Sequence, residues 1–288
     1  MIFFADTASL PEIEYSFSRG VNDGITTNPK IMETTGDLAQ GVEKACKDIL
    51  SRYPSVPVSL ETDLRGIDVK DITNVSPEAV RDVLLVQADT LSGFAPNVVV
   101  KIPICEGGLL ATRELTKQGI KTNVTACMTP YQALEAANAG ATYVSLFANR
   151  MLDCYILELA GHKVEEIGTA DWKSVVKENK EKYNEQAWEK VLADIAYVAE
   201  KLDNTGSSLI VGSIRLPNDI LRLVNAAPQV ITIPTGIVKG LENILEIKST
   251  LRSTSGLNHS EREGITHPMT QYTLEEFEVA ADSYRNKK

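Results

Sequence analysis

The sequence has no CxxC pair, no surplus of positive charge and no basic residue among its first fourteen. Each absence excludes something. Four cysteines at 46, 105, 127 and 154 are too scattered for a disulfide framework or a zinc ribbon, and they suit reduced thiols in a cytosolic protein. Cys105 stands four residues after Lys101, where a reactive thiol or a small buried filler are both open, the filler favoured. Only three histidines occur, His162, His259 and His267, without metal-ligand spacing, which predicts no metal and no cofactor. Acids outnumber bases, 39 to 29, giving a net charge of −10 and a pI near 5.0, so no basic face for nucleic acid is expected. Small anionic substrates stay open, because a few arginines dominate a pocket locally. The opening "MIFFADTASLPEIE" meets an acid at position 6, which predicts neither a signal peptide nor a membrane span, and hence a cytoplasmic protein without a membrane partner.

What is present is an alternation. Eight short apolar, β-branched runs recur: 2–6, 24–27, 56–62, 97–103, 120–126, 142–147, 208–213 and 229–234. Most are nearly continuous in apolar residues, as strands buried on both faces of a parallel sheet are. Amphipathic stretches separate them, among them "SLPEIEYSFSRG", "DLAQGVEKACKDILSRY", "LLATRELTKQG", "PNDILRLVNAA" and "GIVKGLENILEIKSTL". "TPYQALEAANAG" shows Thr129 as a cap, Pro130 at the first helical position and Gly140 beyond the end. Eight strands each followed by helix predict an α/β fold, a (β/α)8 TIM barrel occupying 1–288 as one domain. An open doubly wound sheet is the alternative, weakened because no GxGxxG follows an early strand. Residues 161–202 form a charged helical insertion between strands six and seven, 253–273 a polar exposed connection, and 274–288 an extra C-terminal helix.

A barrel carries its chemistry at the C-terminal ends of its strands. Those ends hold Asp6, Asn28, Glu61, Lys101, Asn123 and Thr125, Ser145 with Arg150 beyond, and Ser213 with Arg215. Singly, Asp6 or Asn28 caps a turn about as often as it acts, a lone serine is usually a satisfied core residue, Arg150 an ion pair, and Lys101 with Glu61 a structural pair in the mouth. Jointly, they fall at one rim. An amine buried among apolar residues has its charged form disfavoured and can attack a carbonyl to form a Schiff base. Two separated carboxylates can then divide the proton transfers, and two arginines with a serine fit a phosphate.

At these residues the sequence resembles the transaldolase family, including its small-subunit branch and the related fructose-6-phosphate aldolases. The carrying segments are "FADTASLPEIE", "GITTNPKIM", "VSLET", "VVKIPICEGGLLATRELTKQGIKTNVTACMTPYQALEAANAGATYVSLFANRMLD", "IVGSIR", "ITIP" and "HPMTQYTLEEF". The resemblance implies that Lys101 is the Schiff-base lysine, that Asp6 takes the C4 hydroxyl proton, and that Glu61 acts through a water held with Thr125. It implies that Asn28, Asn123 and Ser145 hold a dihydroxyacetone unit, and that Arg150, Ser213 and Arg215 bind phosphate. Sugar phosphates are the implied substrates and a homo-oligomer the implied assembly, with the last helix able to reach a neighbour. Glu61 matches transaldolases where the aldolases carry Gln, and Phe147 stands where they carry Tyr. Cys105 replaces a usual Thr, Leu146 replaces a usual Pro, and the 161–202 insertion is longer than in compact members. The expected activity is transfer of a dihydroxyacetone unit between sugar phosphates. Release of free dihydroxyacetone, action on another anionic ketose, and a catalytically silent sugar-phosphate-binding barrel are the alternatives.

Overall fold

The computed structural model describes residues 1–203, 205–249 and 259–285. Eight parallel strands close into a barrel in chain order: β1 Ile2–Asp6, β2 Gly24–Thr26, β3 Val58–Glu61, β4 Val98–Pro103, β5 Thr122–Cys127, β6 Tyr143–Phe147, β7 Ser208–Gly212 and β8 Val230–Ile233. β8 pairs back onto β1, with Phe4 opposite Thr232, which completes the ring and leaves no open edge. All eight expected strands are present, each within a few residues of the expected bounds.

The apolar runs are continuous because each strand buries both faces. Val98, Val100 and Ile102 of β4 point to the large core shared with the helices, as do Leu60, Val124, Leu146 and Val211 on neighbouring strands. Alternate residues face the barrel axis. There Phe4, Ile210 and Val230 form a separate small cluster with Tyr143 packed on it. The Phe4 ring fills space that only glycine leaves at position 24, where a Cβ would lie 2.6 Å from it.

Around the barrel run α1 Leu10–Ser18, α2 Pro29–Thr35, α3 Val42–Arg52, α4 Pro77–Ser92, α5 Glu106–Lys117, α6 Pro130–Asn138, α7 Ala148–Leu159, α8 Trp172–Leu202, α9 Pro217–Leu223, α10 Thr235–Val238, α11 Ile244–Ser249 and α12 Pro268–Arg285. Local chemistry starts several of them. Thr129 accepts from the Gln132 amide and Ser76 from the Ala79 amide, each followed by proline at the first helical position. Cys105 does the same for α5, its Sγ accepting from Gly108 N at 3.2 Å. Burial pushes the Cys105 thiol up to about 11, so it is a capping residue rather than a reactive thiolate.

Three expectations are refined. Within the helical insertion, a short 3-10 turn at Val164–Glu166 precedes one continuous helix of 31 residues, α8. The last helix begins at Pro268, not at 274, and 286–288 lie outside the described residues. Of the connection expected to be exposed, 253–258 lie outside the described residues; 261–264 and 266 are exposed as expected, yet 259–267 is also pinned as a strap. His259 stacks on Tyr197, Arg262 pairs with Glu158, Gln132 donates to the Ile265 carbonyl, and His267 is buried. The strap delivers α12 to the mouth of its own barrel. Thr270 donates to the Ala126 carbonyl, Gln271 to the carbonyls of Val69 and Lys70, and Glu278 accepts from Leu64 N. Among the described residues no helix is long and apolar enough to cross a membrane.

Candidate active site

Strand register brings the central groups together. Glu61 on β3 is the direct neighbour of Lys101 on β4, which in turn neighbours Asn123 on β5. All six residues of β4 are buried, and the Lys101 side chain is only 5% exposed. Its Nζ donates to the Thr27 carbonyl at 3.1 Å and lies 3.0 Å from Glu61 Oε2. That contact is a close charge pair whose angle does not satisfy a hydrogen bond, and Glu61 Oε2 accepts none. Asp6, at the end of β1, accepts from Thr26 Oγ1 at 2.7 Å.

Dehydration sets the proton chemistry. Burial lifts the Glu61 carboxyl from 4.5 to about 7, against the opposing pull of the Lys101 charge. Burial also raises Asp6 above its ordinary value, offset in part by Lys101 and the Thr26 hydroxyl. One buried amine thus stands with two carboxyl groups, both of which hold protons more tightly than usual.

Asp6, Asn28, Lys101, Ser145, Arg150, Ser213 and Arg215 line one cavity of about 220 Å³ at the C-terminal end of the barrel. The other three expected site residues do not line it, and Glu61 lines a separate cavity with Tyr284 and Arg285. Glu61 reaches the cavity through Lys101, and Asn123 through Ser145, whose Oγ donates to Asn123 Oδ1 at 2.7 Å. Asn123 in turn donates to Ser59 Oγ at 3.3 Å, which fixes its amide. Thr125 is buried with an unpartnered hydroxyl. Asn28 also caps α2, accepting from Ile31 N at 2.8 Å, so a capping role and a place in the cavity wall coexist.

At the rim both arginines have carboxylate partners. Arg215 makes a two-pronged pair with Asp153 at 2.8 and 2.6 Å, and Arg150 meets Glu276 of α12 at 2.8 Å. Ser213 holds a left-handed φ of 61°, a conformation worth about 1 kcal/mol of strain or more for a residue with a Cβ. Asn149 and Asp219 hold the backbone there. Asn149 donates to the Ser213 carbonyl and to Asp219 Oδ2, both at 2.8 Å, while Asp219 also accepts from the amides of Arg215 and Leu216.

Asn149, Asp219, Glu276 and Phe277 belong to the site's construction without standing out in the sequence. Only Asp219 left a local sign, two residues after Pro217 at the start of α9. Phe277 lines the cavity from α12, and the ring of Phe147 lies 6.4 Å from it.

A family model described as Transaldolase/Fructose-6-phosphate aldolase matches residues 3–288. The chain belongs to the transaldolase/fructose-6-phosphate aldolase family. It is 33% identical over 246 residues to a probable transaldolase of Syntrophobacter fumaroxidans, covering 84% of this chain and 89% of that protein. A probable transaldolase of Geotalea daltonii is 34% identical over 241 residues, covering 84% and 90%. One from Maridesulfovibrio salexigens is 40% identical over a shorter 152 residues, 52% of this chain and 62% of its own length. The chain is therefore an enzyme of the transaldolase and aldolase kind.

Proposed function

We propose that the enzyme transfers a dihydroxyacetone unit between sugar phosphates through a Schiff base on Lys101. The observation that carries this reading is the buried Lys101 amine, 3.0 Å from Glu61 and in one cavity with Asp6. The uncharged amine adds to the C2 carbonyl of a ketose phosphate. A proton supplied on the Glu61 side converts the C2 hydroxyl into departing water and leaves the iminium. An acid held near 7 is matched to giving and retaking that proton at neutral pH. Thr125, with its unpartnered buried hydroxyl, suits a water relay from Glu61. Asp6 takes the C4 hydroxyl proton, the C3–C4 electron pair moves into the iminium, and an aldose phosphate departs. The retained enamine attacks the carbonyl carbon of an acceptor aldose phosphate. Its hydroxyl forms with the proton held by Asp6, and hydrolysis of the new iminium frees the product.

Arg150, Ser213 and Arg215 are the proposed phosphate contacts, in a cavity whose far end is the lysine. Phe147 brings no hydroxyl to the wall, which supports transfer over release of free dihydroxyacetone. The test is borohydride reduction with fructose 6-phosphate followed by mass spectrometry. An adduct on Lys101, absent in Lys101→Met, is expected. Turnover should also require erythrose 4-phosphate. A fully active Lys101→Met would refute the lysine's role, and turnover indifferent to the acceptor would make the enzyme an aldolase.

A further inference from the structure

A second cavity, of about 470 Å³, adjoins the first across the two arginines, which line both. Its outer wall is the N-terminal half of α8, the segment that lengthens the chain between β6 and β7. Lys173, Lys177 and Lys180 stand there at helical spacing and all line the recess. Glu178 and Glu181 of the same helix do not line it.

The charges are unequal. The recess holds five cations, Arg150, Arg215 and the three lysines, against two carboxylates, Asp153 and Glu276, a surplus of three in a protein of net charge −10. The arginines do not supply the surplus, since each meets one of those carboxylates. Lys173 is partly engaged: it lies 3.8 Å from Glu276 and over the Tyr272 ring at 5.0 Å. Among the described residues Lys177 and Lys180 form no ion pair. Unpaired ammonium groups facing a recess with a surplus of positive charge favour an anionic occupant.

We infer that Lys177 and Lys180, assisted by Lys173, form a second oxyanion subsite beside the arginine pair. It rests on the reading above only in assigning the first phosphate to Arg150 and Arg215. The ligand is a phosphate-class oxyanion. It is either a second such group on the phosphate end of a substrate, or a separate anion bound beside it.

Pyrophosphate tests this without a carbonyl, so the outcome does not depend on Lys101. By calorimetry on the full chain, pyrophosphate should bind about tenfold tighter than orthophosphate. The Lys177→Ala/Lys180→Ala double variant should lose that preference and keep its orthophosphate affinity within about twofold, and since Lys177 is exposed and Lys180 only half-buried, neither belonging to the buried face of α8, the helix core stays intact. Arg215→Gln separates the sources. Weakened pyrophosphate binding supports one ligand bridging both subsites, and unchanged binding supports a separate anion on the lysines. A double variant that binds pyrophosphate as the parent does, or a parent without preference, overturns the inference. A missing Lys101 adduct would refute the Schiff-base reading and leave this measurement standing.

Discussion

Replacing Glu61 by glutamine tests the dehydration on which the site depends. The folded protein holds the Glu61 proton up to about 7, whereas an ordinary glutamic acid releases it at 4.5. Below pH 4.5 both folded and unfolded chains keep the proton. As pH rises from there to about 7, the unfolded chain releases it and the folded one does not, so the parent loses stability through this window. Above 7 both are ionised and the loss is complete. Each pH unit between the two values is about 1.4 kcal/mol, so the whole interval is about 3 kcal/mol, of which roughly 2–3 kcal/mol falls between pH 5 and pH 8. Glutamine keeps the shape and does not titrate, and Asp6, raised in the same direction chiefly by burial, is present in both proteins. Urea unfolding of parent and Glu61→Gln at pH 5 and pH 8 should therefore show the difference moving by roughly 2–3 kcal/mol in favour of glutamine at the higher pH. The limb near pH 7 in kcat/KM should disappear in the same variant. Stability profiles that run parallel from pH 5 to 8 would refute the claim that burial holds this proton.

Asp6→Asn should still form a borohydride-trapped adduct but lose at least about 100-fold in bond cleavage, since general-base help is worth about that much; loss of trapping too would overturn the division of labour between the carboxyl groups. Asn149→Ala removes one buried hydrogen bond, to Asp219 Oδ2, and one partly buried, to Ser213 O, and should cost about 1–3 kcal/mol by denaturant titration together with a raised KM for phosphorylated substrates. Gly108→Ala places a Cβ 2.1 Å from the Pro103 carbonyl, at the end of the strand that carries Lys101. It should lower stability by about 1–3 kcal/mol or more and slow trapping, whereas a neutral result would mean that α5 shifts freely away from β4.

The strands were legible because burial on both faces writes itself as a continuous apolar run, and the polar interruptions marked the rim. Lys101 stood out because it puts a charged side chain into a strand whose every residue is buried. Several helices were not singled out. α2 has only seven residues, too few for a period to show, and α7 follows β6 directly, with Phe147 making no side-chain cap. α4 carried its sign openly, a Ser76 cap before Pro77 with Val80, Leu84 and Ala88 buried along one face. Partners distant in the chain left no trace: Glu276 meets Arg150 across 126 positions, and Asp153 meets Arg215 across 62. Nothing local told the capping role of Asn28 from its place in the cavity, because it has both.

The alternation along each strand explains why a buried lysine is compatible with so apolar a fold. On β4, Val98, Val100 and Ile102 belong to the core outside the barrel, and Lys101 turns to the opposite face. A slip of one residue would exchange these sets, placing the amine among the helices without a carboxylate and a valine beside Glu61. Register is therefore enforced by the same apolar contacts that dry the site. The Phe4, Tyr143, Ile210 and Val230 cluster lies within the barrel, while the substrate-sized cavity lies at its C-terminal end, with Phe277 of α12 in the wall. Trimming α12 should then have a mixed consequence: it would release Arg150 from Glu276, freeing a cation for phosphate, yet admit water that lets Glu61 ionise more easily. Glu276→Gln isolates the first effect. It should tighten binding of orthophosphate at the rim and leave the Glu61 titration near pH 7 in place, and a moved titration would show that rim and floor are not separable.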